Sequence, residues 1–144
     1  MKFSSLSFLI CSMVVLMGCN SNKIYDEPSD KYPFDEKIKT VLGEKLEVVN
    51  SLNRAEVQLA YVELPANSIK TKNIIDLLEK DGWIFKGRGI SVDTYCLGSK
   101  NSINIASPIS FNATDFKGNK VRVTKTDVDI ISYSYNKWGE ELCE

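Results

Sequence analysis

The sequence predicts an α+β domain, in which an antiparallel sheet of about five strands carries one or two helices on one face. Two observations lead to this class. The first half of the mature chain holds stretches with apolar residues at helical spacing, whereas residues 83–135 hold short apolar or alternating runs separated by turn residues. Helices followed by a series of strands are typical of an α+β layer, with the helices packed on one side of the sheet.

The first predicted helix begins at Asp35, which can act as an N-cap, and ends near Gly43. Its apolar positions share one face: Ile38, Val41 and Leu42. Residues 44–54 leave two alternatives open, because they could extend this helix or form a strand around Leu46-Val49.

A strand and the clearest helix of the sequence follow. Residues 55–64 alternate, and Pro65 stops the strand. Ser68 begins the helix, and Gly82 stands where a left-handed C-terminal residue is needed. The apolar side of the strand is Val57, Leu59 and Tyr61, and the helix stripe is Ile74, Ile75, Leu77 and Leu78.

The remaining chain predicts strands joined by turns, over residues 83–85, 90–97, 102–107, 120–126 and 127–135. Lys86-Gly87-Arg88-Gly89 is interpreted as a hairpin connection, since a phosphate-binding loop needs a longer Gly-rich pattern and a helix after it. The last strand has two faces. One carries Val128, Ile130, Ser132 and Ser134, and the other Ile131, Tyr133 and Tyr135.

Residues 1–18 have the pattern of a bacterial signal peptide. Lys2 gives a positive start, and the apolar run from Phe8 to Met17 spans about ten residues, too short for a membrane-spanning helix. The run closes with Leu16-Met17-Gly18-Cys19, which resembles the lipobox recognised by signal peptidase II in bacterial lipoproteins. The resemblance implies a lipid on Cys19 and cleavage before it. The alternative is an ordinary secretory leader in which Cys19 is incidental.

The predicted organisation is therefore a signal peptide at 1–18, the lipidated Cys19 with a polar tether over 19–34, and a single domain over 35–144. The lipid makes the membrane one partner of the chain. Asn20 stands where lipoproteins retained in the inner membrane usually carry aspartate, so the resemblance points to the outer membrane, facing the periplasm.

The composition excludes several classes of function. The chain has no histidine, which excludes His-dependent triads, Cys-His dyads and imidazole zinc sites. Its net charge of −1 argues against a nucleic-acid partner. Asp127 and Asp129 could share one face of a strand, but a solvated, charged strand is favoured over a metal site. We predict no metal, no cofactor and no enzymatic activity. An enzyme would need carboxylate or Ser-Lys chemistry that the spacing does not show.

Two of the four cysteines remain once the leader and the lipid are accounted for. In an oxidising compartment Cys96 and Cys143 are expected to pair and to pin the C-terminus to the sheet. A loop of roughly fifty residues predicts a stabilisation on the order of 4 kcal/mol. A catalytic thiol is the alternative, although no histidine is present to activate it.

Aromatic and acidic residues cluster near the C-terminus and are candidates for contacts with a protein partner: Tyr133, Tyr135, Trp138, Glu140 and Glu141. Core filling is the alternative for each aromatic ring. The lipobox, the mature length and the late cysteine pair resemble small periplasmic lipoproteins that act as immunity proteins against secretion-system effectors. The resemblance implies an inhibitor that neutralises a toxin by direct binding. The alternative is a structural or assembly accessory of the cell envelope.

Overall fold

The structure is a computed structural model that describes residues 28–144. The predicted signal peptide, Cys19 and the first part of the tether lie outside the described residues. The elements are α1 (Phe34–Leu42), β1 (Val49–Asn53), β2 (Val57–Pro65), α2 (Ile69–Lys80), β3 (Ile84–Arg88), β4 (Asp93–Leu97), β5 (Asn101–Ala106), β6 (Val128–Asn136) and a 3₁₀ helix (Glu141–Cys143).

The strands form one six-stranded sheet in the order β1-β2-β6-β5-β4-β3, with every neighbouring pair antiparallel. The predicted α+β class is confirmed, with one more strand than expected. The ambiguous stretch before residue 54 supplies β1. The strand predicted at 120–126 is wrong, because this segment makes only an isolated bridge between Thr114 and Lys120. The last strand of the chain, β6, inserts into the middle of the sheet.

Both helices pack on one face of the sheet, which we call the helix face. Its buried apolar strand residues are Ala60, Val62, Leu64, Tyr95, Ile103, Ile105, Ile131, Tyr133 and Tyr135. In β2 this face is not the predicted one, because Leu59 is exposed while the alternate residues are buried. Both faces of β2 carry apolar residues, so alternation alone does not identify the side that the helices cover.

The ends of α2 match the sequence prediction, whereas the start of α1 differs from it. The α2 helix has Ser68 as its N-cap, whose side chain accepts a hydrogen bond from the Lys70 N–H, and Gly82 has a φ of +88°. The N-cap of α1 is Pro33, two residues before the predicted Asp35, which lies in the first turn instead. The packing of Phe34 in the core sets this start, since its ring stacks on Tyr133 at 5.0 Å between centroids.

Residues 28–33, predicted as part of the tether, belong to the folded unit. The Tyr32 ring is buried and meets the Trp83 ring edge-on, with 5.1 Å between centroids. Its hydroxyl donates to Asp81, and burial together with this carboxylate raises the pKa of Tyr32. The fold therefore extends further towards the N-terminus than residue 35.

The opposite face of the sheet, the second face, is covered by two segments without regular strands. The loop 107–127 covers one end through a small core of Val92, Ala106, Ile109, Ala113 and Val128. The C-terminal tail, residues 137–144, covers the other end. The Lys117 ammonium donates to the Glu141 carbonyl, so the two covering segments meet.

Gly89 allows the loop 107–127 to pack closely against the β3–β4 connection. A Cβ at this position would lie 2.0 Å from the Thr114 carbonyl oxygen and 2.3 Å from that of Asp115. Because backbone atoms occupy this space, Gly89→Ala is expected to lower the free energy of unfolding by about 2 to 3 kcal/mol in urea titrations. Gly98→Ala is the control, since Gly98 has a positive φ but open space around it, and it should cost about 1 kcal/mol. Equal losses would contradict the close approach at Gly89.

Candidate functional site

Two of the predicted partner contacts are core residues instead. Tyr133 and Tyr135 are 1% and 0% exposed on the helix face. Their hydroxyls donate to Asn101 and Asp30. They belong to the internal strand β6, and on the helix face their rings are buried in the core. The prediction that they contact a partner is therefore wrong for this fold.

The other three predicted contacts lie in the tail after β6. Trp138 is 74% exposed in the turn that ends the strand, and Glu141 is exposed. Glu140 is half-buried, and the tail is held by the predicted Cys96–Cys143 disulfide, with 5.7 Å between the Cα atoms. The pairing places the tail over β4 and β5, with the Glu140 N–H donating to the Ser99 carbonyl.

Glu140 places a carboxylate over the second face. The Ser134 hydroxyl donates to its Oε1 at 2.5 Å. Burial raises the pKa of Glu140, while the hydrogen bonds from Ser134 and Ser102 oppose that shift. The charged form of this side chain is therefore less favourable in the folded state than in the unfolded chain.

The sign of this shift gives a pH-dependent stability. A carboxyl group with a raised pKa in the fold binds its proton more tightly there, so its contribution is lost as the pH rises above about 4.5. The stability of Glu140→Gln relative to the native protein should therefore increase between pH 4 and pH 7, measured by urea denaturation. Glu141→Gln serves as a control for the loss of one surface charge. A constant difference across this range would contradict a raised pKa of Glu140 in the folded protein.

The turns at one end of the sheet lie beside the entry of the N-terminal segment, and we call this the anchor end. It comprises the β1–β2 turn (54–56), the β4–β5 turn (98–100), the start of β3 and the end of β6. Asp30 accepts hydrogen bonds there from Lys100 at 2.6 Å and from the Tyr135 hydroxyl at 2.9 Å. The pKa of Asp30 is lowered, first by Lys100 and then by Tyr135.

Asn101 fixes the same segment from inside the protein. Its side-chain oxygen accepts from the Tyr32 N–H at 3.0 Å and from the Tyr133 hydroxyl at 2.9 Å. Its side-chain nitrogen donates to the carbonyls of Asp30 and Leu97. A buried amide that uses both donor and acceptor defines one position for the incoming chain.

The far end of the sheet carries a cleft of about 570 Å³. The start of α2, the β3–β4 connection and the end of β5 line it, with polar side chains from Ser68, Lys72, Arg88, Ser91, Asp93 and Ser107. Arg88 forms a bidentate pair with Asp93, at 2.5 and 2.7 Å, which raises the pKa of Arg88.

Exposed apolar side chains lie at the same end. They are Ile69 at the start of α2, Ile90 after β3, and Phe111 in the loop 107–127, where Phe111 is 73% exposed. The Ile90 N–H donates to the Thr114 hydroxyl, and the Ser91 and Ser110 hydroxyls are 3.1 Å apart. Ile90 makes the first of these bonds, and Phe111 is adjacent to Ser110. Hydrogen bonds therefore link the two segments that carry these exposed side chains.

Asp129 is buried beneath the start of α2, so the predicted solvated position is wrong for this residue. The side chain is 0% exposed. Its carboxylate accepts from the N–H groups of Asn67 and Ser68, both at 3.0 Å, and from the Thr71 hydroxyl at 2.6 Å. It therefore accepts hydrogen bonds from the N–H groups at the start of α2, where a negative charge is favourable. Its neighbour Asp127 is exposed.

Together these features define an α+β protein with a single antiparallel sheet, two helices on one face and a disulfide-fixed tail on the other. Searches against protein-family models, curated proteins and solved structures find no match to the chain. Within residues 28–144, no group of three or more His, Cys, Asp or Glu side chains could hold a metal ion. No helix in this part of the chain is long and apolar enough to cross a membrane.

Proposed function

We propose that the protein is a lipid-anchored protein of the cell envelope that neutralises a toxic effector by binding it directly. The motif at Leu16–Cys19 supports the anchor, and the size of the domain and its paired late cysteines support an immunity protein. The far end of the sheet is the surface we assign to the toxin.

The observation that carries this assignment is that a polar cleft and three exposed apolar side chains lie at the same end of the sheet. Burying Ile69, Ile90 and Phe111 against a partner would gain about 25 cal/mol for each Å² of apolar surface removed from water. The backbone bonds at Ile90 and Thr114 hold the surface before binding, which reduces the entropy lost on association.

Charges in the cleft would provide specificity. Lys72 is exposed on the first turns of α2, and the Arg88–Asp93 pair lies across the cleft. A partner must match this arrangement of charges, or its own charges lose water without compensation.

A complementation experiment tests the proposal. Deleting the gene should sensitise cells to attack by sibling cells that carry the effector, and the native gene should restore survival. Phe111→Ala is expected to restore it poorly, because an exposed aromatic contact is lost. Trp138→Ala is the matched control, since its ring is equally exposed, 74% against 73%, but lies at the other end of the sheet.

Each outcome bears on a different part of the proposal. Unchanged survival of the deletion strain would contradict the immunity function. Full protection by Phe111→Ala together with loss of protection by Trp138→Ala would contradict the far-end surface. Recovery of an envelope assembly component in place of a toxin, after cross-linking through the far end, would favour an assembly accessory.

A further inference from the structure

The lipid anchor and the anchor end of the sheet are connected by a short stretch of chain. Cys19 precedes Pro28, the first described residue, by nine positions. Even a fully extended chain of this length spans at most about 32 Å. From Asp30 onwards the path is fixed by the bonds to Lys100, Tyr135 and Asn101.

The length of the sheet along its strands is about equal to the greatest span of this connection. Strand β6 runs from the far end to the anchor end over nine residues, which corresponds to about 30 Å. For the far end to reach the bilayer first, the connection would have to run back, fully extended, along the whole sheet. The chain length therefore favours an arrangement in which the anchor end, and not the far end, faces the lipid.

The anchor end presents side chains suited to a bilayer surface. Trp138 is 74% exposed, the adjacent Lys137 is exposed, and Ile84 is exposed at the start of β3. Tryptophan is enriched at the level of the lipid headgroups, where its ring contacts apolar chains and its N–H meets polar groups.

Charge does not favour a lipid surface at this end. The exposed cations at this end include Arg54, Lys80 and Lys137, and each has an acidic residue within four positions in the sequence, namely Glu56, Glu79 and Glu141. Contact with lipid would therefore rely on Trp138 and Ile84, and it should depend little on salt or on the charge of the headgroups.

We propose that the anchor end of the sheet rests on the bilayer, with Trp138 in the headgroup region and the far end directed away from the membrane. This inference rests on the lipid at Cys19 in the proposed function. It also separates two surfaces of the same domain, one for lipid and the other for the protein partner.

The test uses the full lipidated protein in phosphatidylcholine vesicles that contain a lipid with a quencher in the headgroup region. Trp83 is buried, so Trp138 is the exposed tryptophan of the described residues. We expect quenching of about half of the tryptophan emission and a blue shift on vesicle binding, both unchanged in high salt. A double variant, Trp138→Phe with Phe111→Trp, moves the exposed indole to the far end and should show neither effect.

The outcomes separate this inference from the proposed function. Acyl chains on Cys19, seen by intact mass, together with unquenched Trp138 would overturn the orientation and leave the anchor in place. Equal quenching in the native protein and the double variant would overturn it as well. A mass without acyl chains on Cys19 would overturn both the anchor and the orientation.

Discussion

Replacing Cys96 and Cys143 with alanine is expected to lower the free energy of unfolding by about 4 kcal/mol. The disulfide closes a loop between residues 47 positions apart. A cross-link of this span lowers the conformational entropy of the unfolded chain, and this loss accounts for the expected free energy. A small α+β domain has only about 5 to 15 kcal/mol of stability in total. The double variant should therefore unfold at much lower urea concentration.

The native contacts of the tail determine what is lost locally. Without the disulfide, the tail is held by the Glu140 bonds to Ser134 and Ser99 and by Lys117 at the Glu141 carbonyl. We expect amide hydrogen exchange at residues 139–144 to rise well before global unfolding. Both cysteines are buried, so alanine avoids placing a new polar group in the core. An unchanged urea midpoint would show that the bond adds nothing to the fold.

The best predictions from the sequence are those in which local signals agree. The α2 helix has a capping serine, an apolar stripe and a terminal glycine, and each signal acts within a few residues. The pairing of Cys96 with Cys143 is a second case, because the predicted compartment left one partner for each. Cys19 lies outside the described residues, and its lipid stays a prediction.

Features that depend on contacts between distant residues were not predictable from local patterns. Nothing near Tyr133 or Tyr135 in sequence indicates that β6 inserts between β2 and β5 and becomes central. The 120–126 run alternates as a strand does, yet its apolar residues Val121 and Val123 pack on the small core of the second face. Alternation reports a half-buried segment, and strand pairing must be decided by the rest of the fold.

The far-end surface was also not predictable from local sequence patterns. Its residues come from α2, the β3–β4 connection, β5 and the loop 107–127, which are separated in sequence. Exposed apolar residues such as Ile69 and Phe111 are single positions in the sequence, and only the fold places them at one end. The available signal was Asp129, because a carboxylate on a β-strand can accept hydrogen bonds from the start of a helix.

The Asp129→Asn variant is expected to lose about 3 to 5 kcal/mol of stability. The amide removes the negative charge at the start of α2 and turns one acceptor into a donor that faces N–H groups. At least one of the groups at Asn67, Ser68 and Thr71 then remains buried without an acceptor. Urea denaturation at neutral pH measures the loss.

Asp127→Asn is the matched control for Asp129→Asn. Asp127 is exposed and has a φ of +60°, a conformation that asparagine also adopts readily, so this substitution should change stability by less than about 0.5 kcal/mol. Because α2 begins beside the far-end cleft, Asp129→Asn should also increase hydrogen exchange at residues 67–71 before the central strands open. Equal stability of the two variants would mean that Asp129 does not hold the start of α2, and the far-end surface would then lose its rigid support.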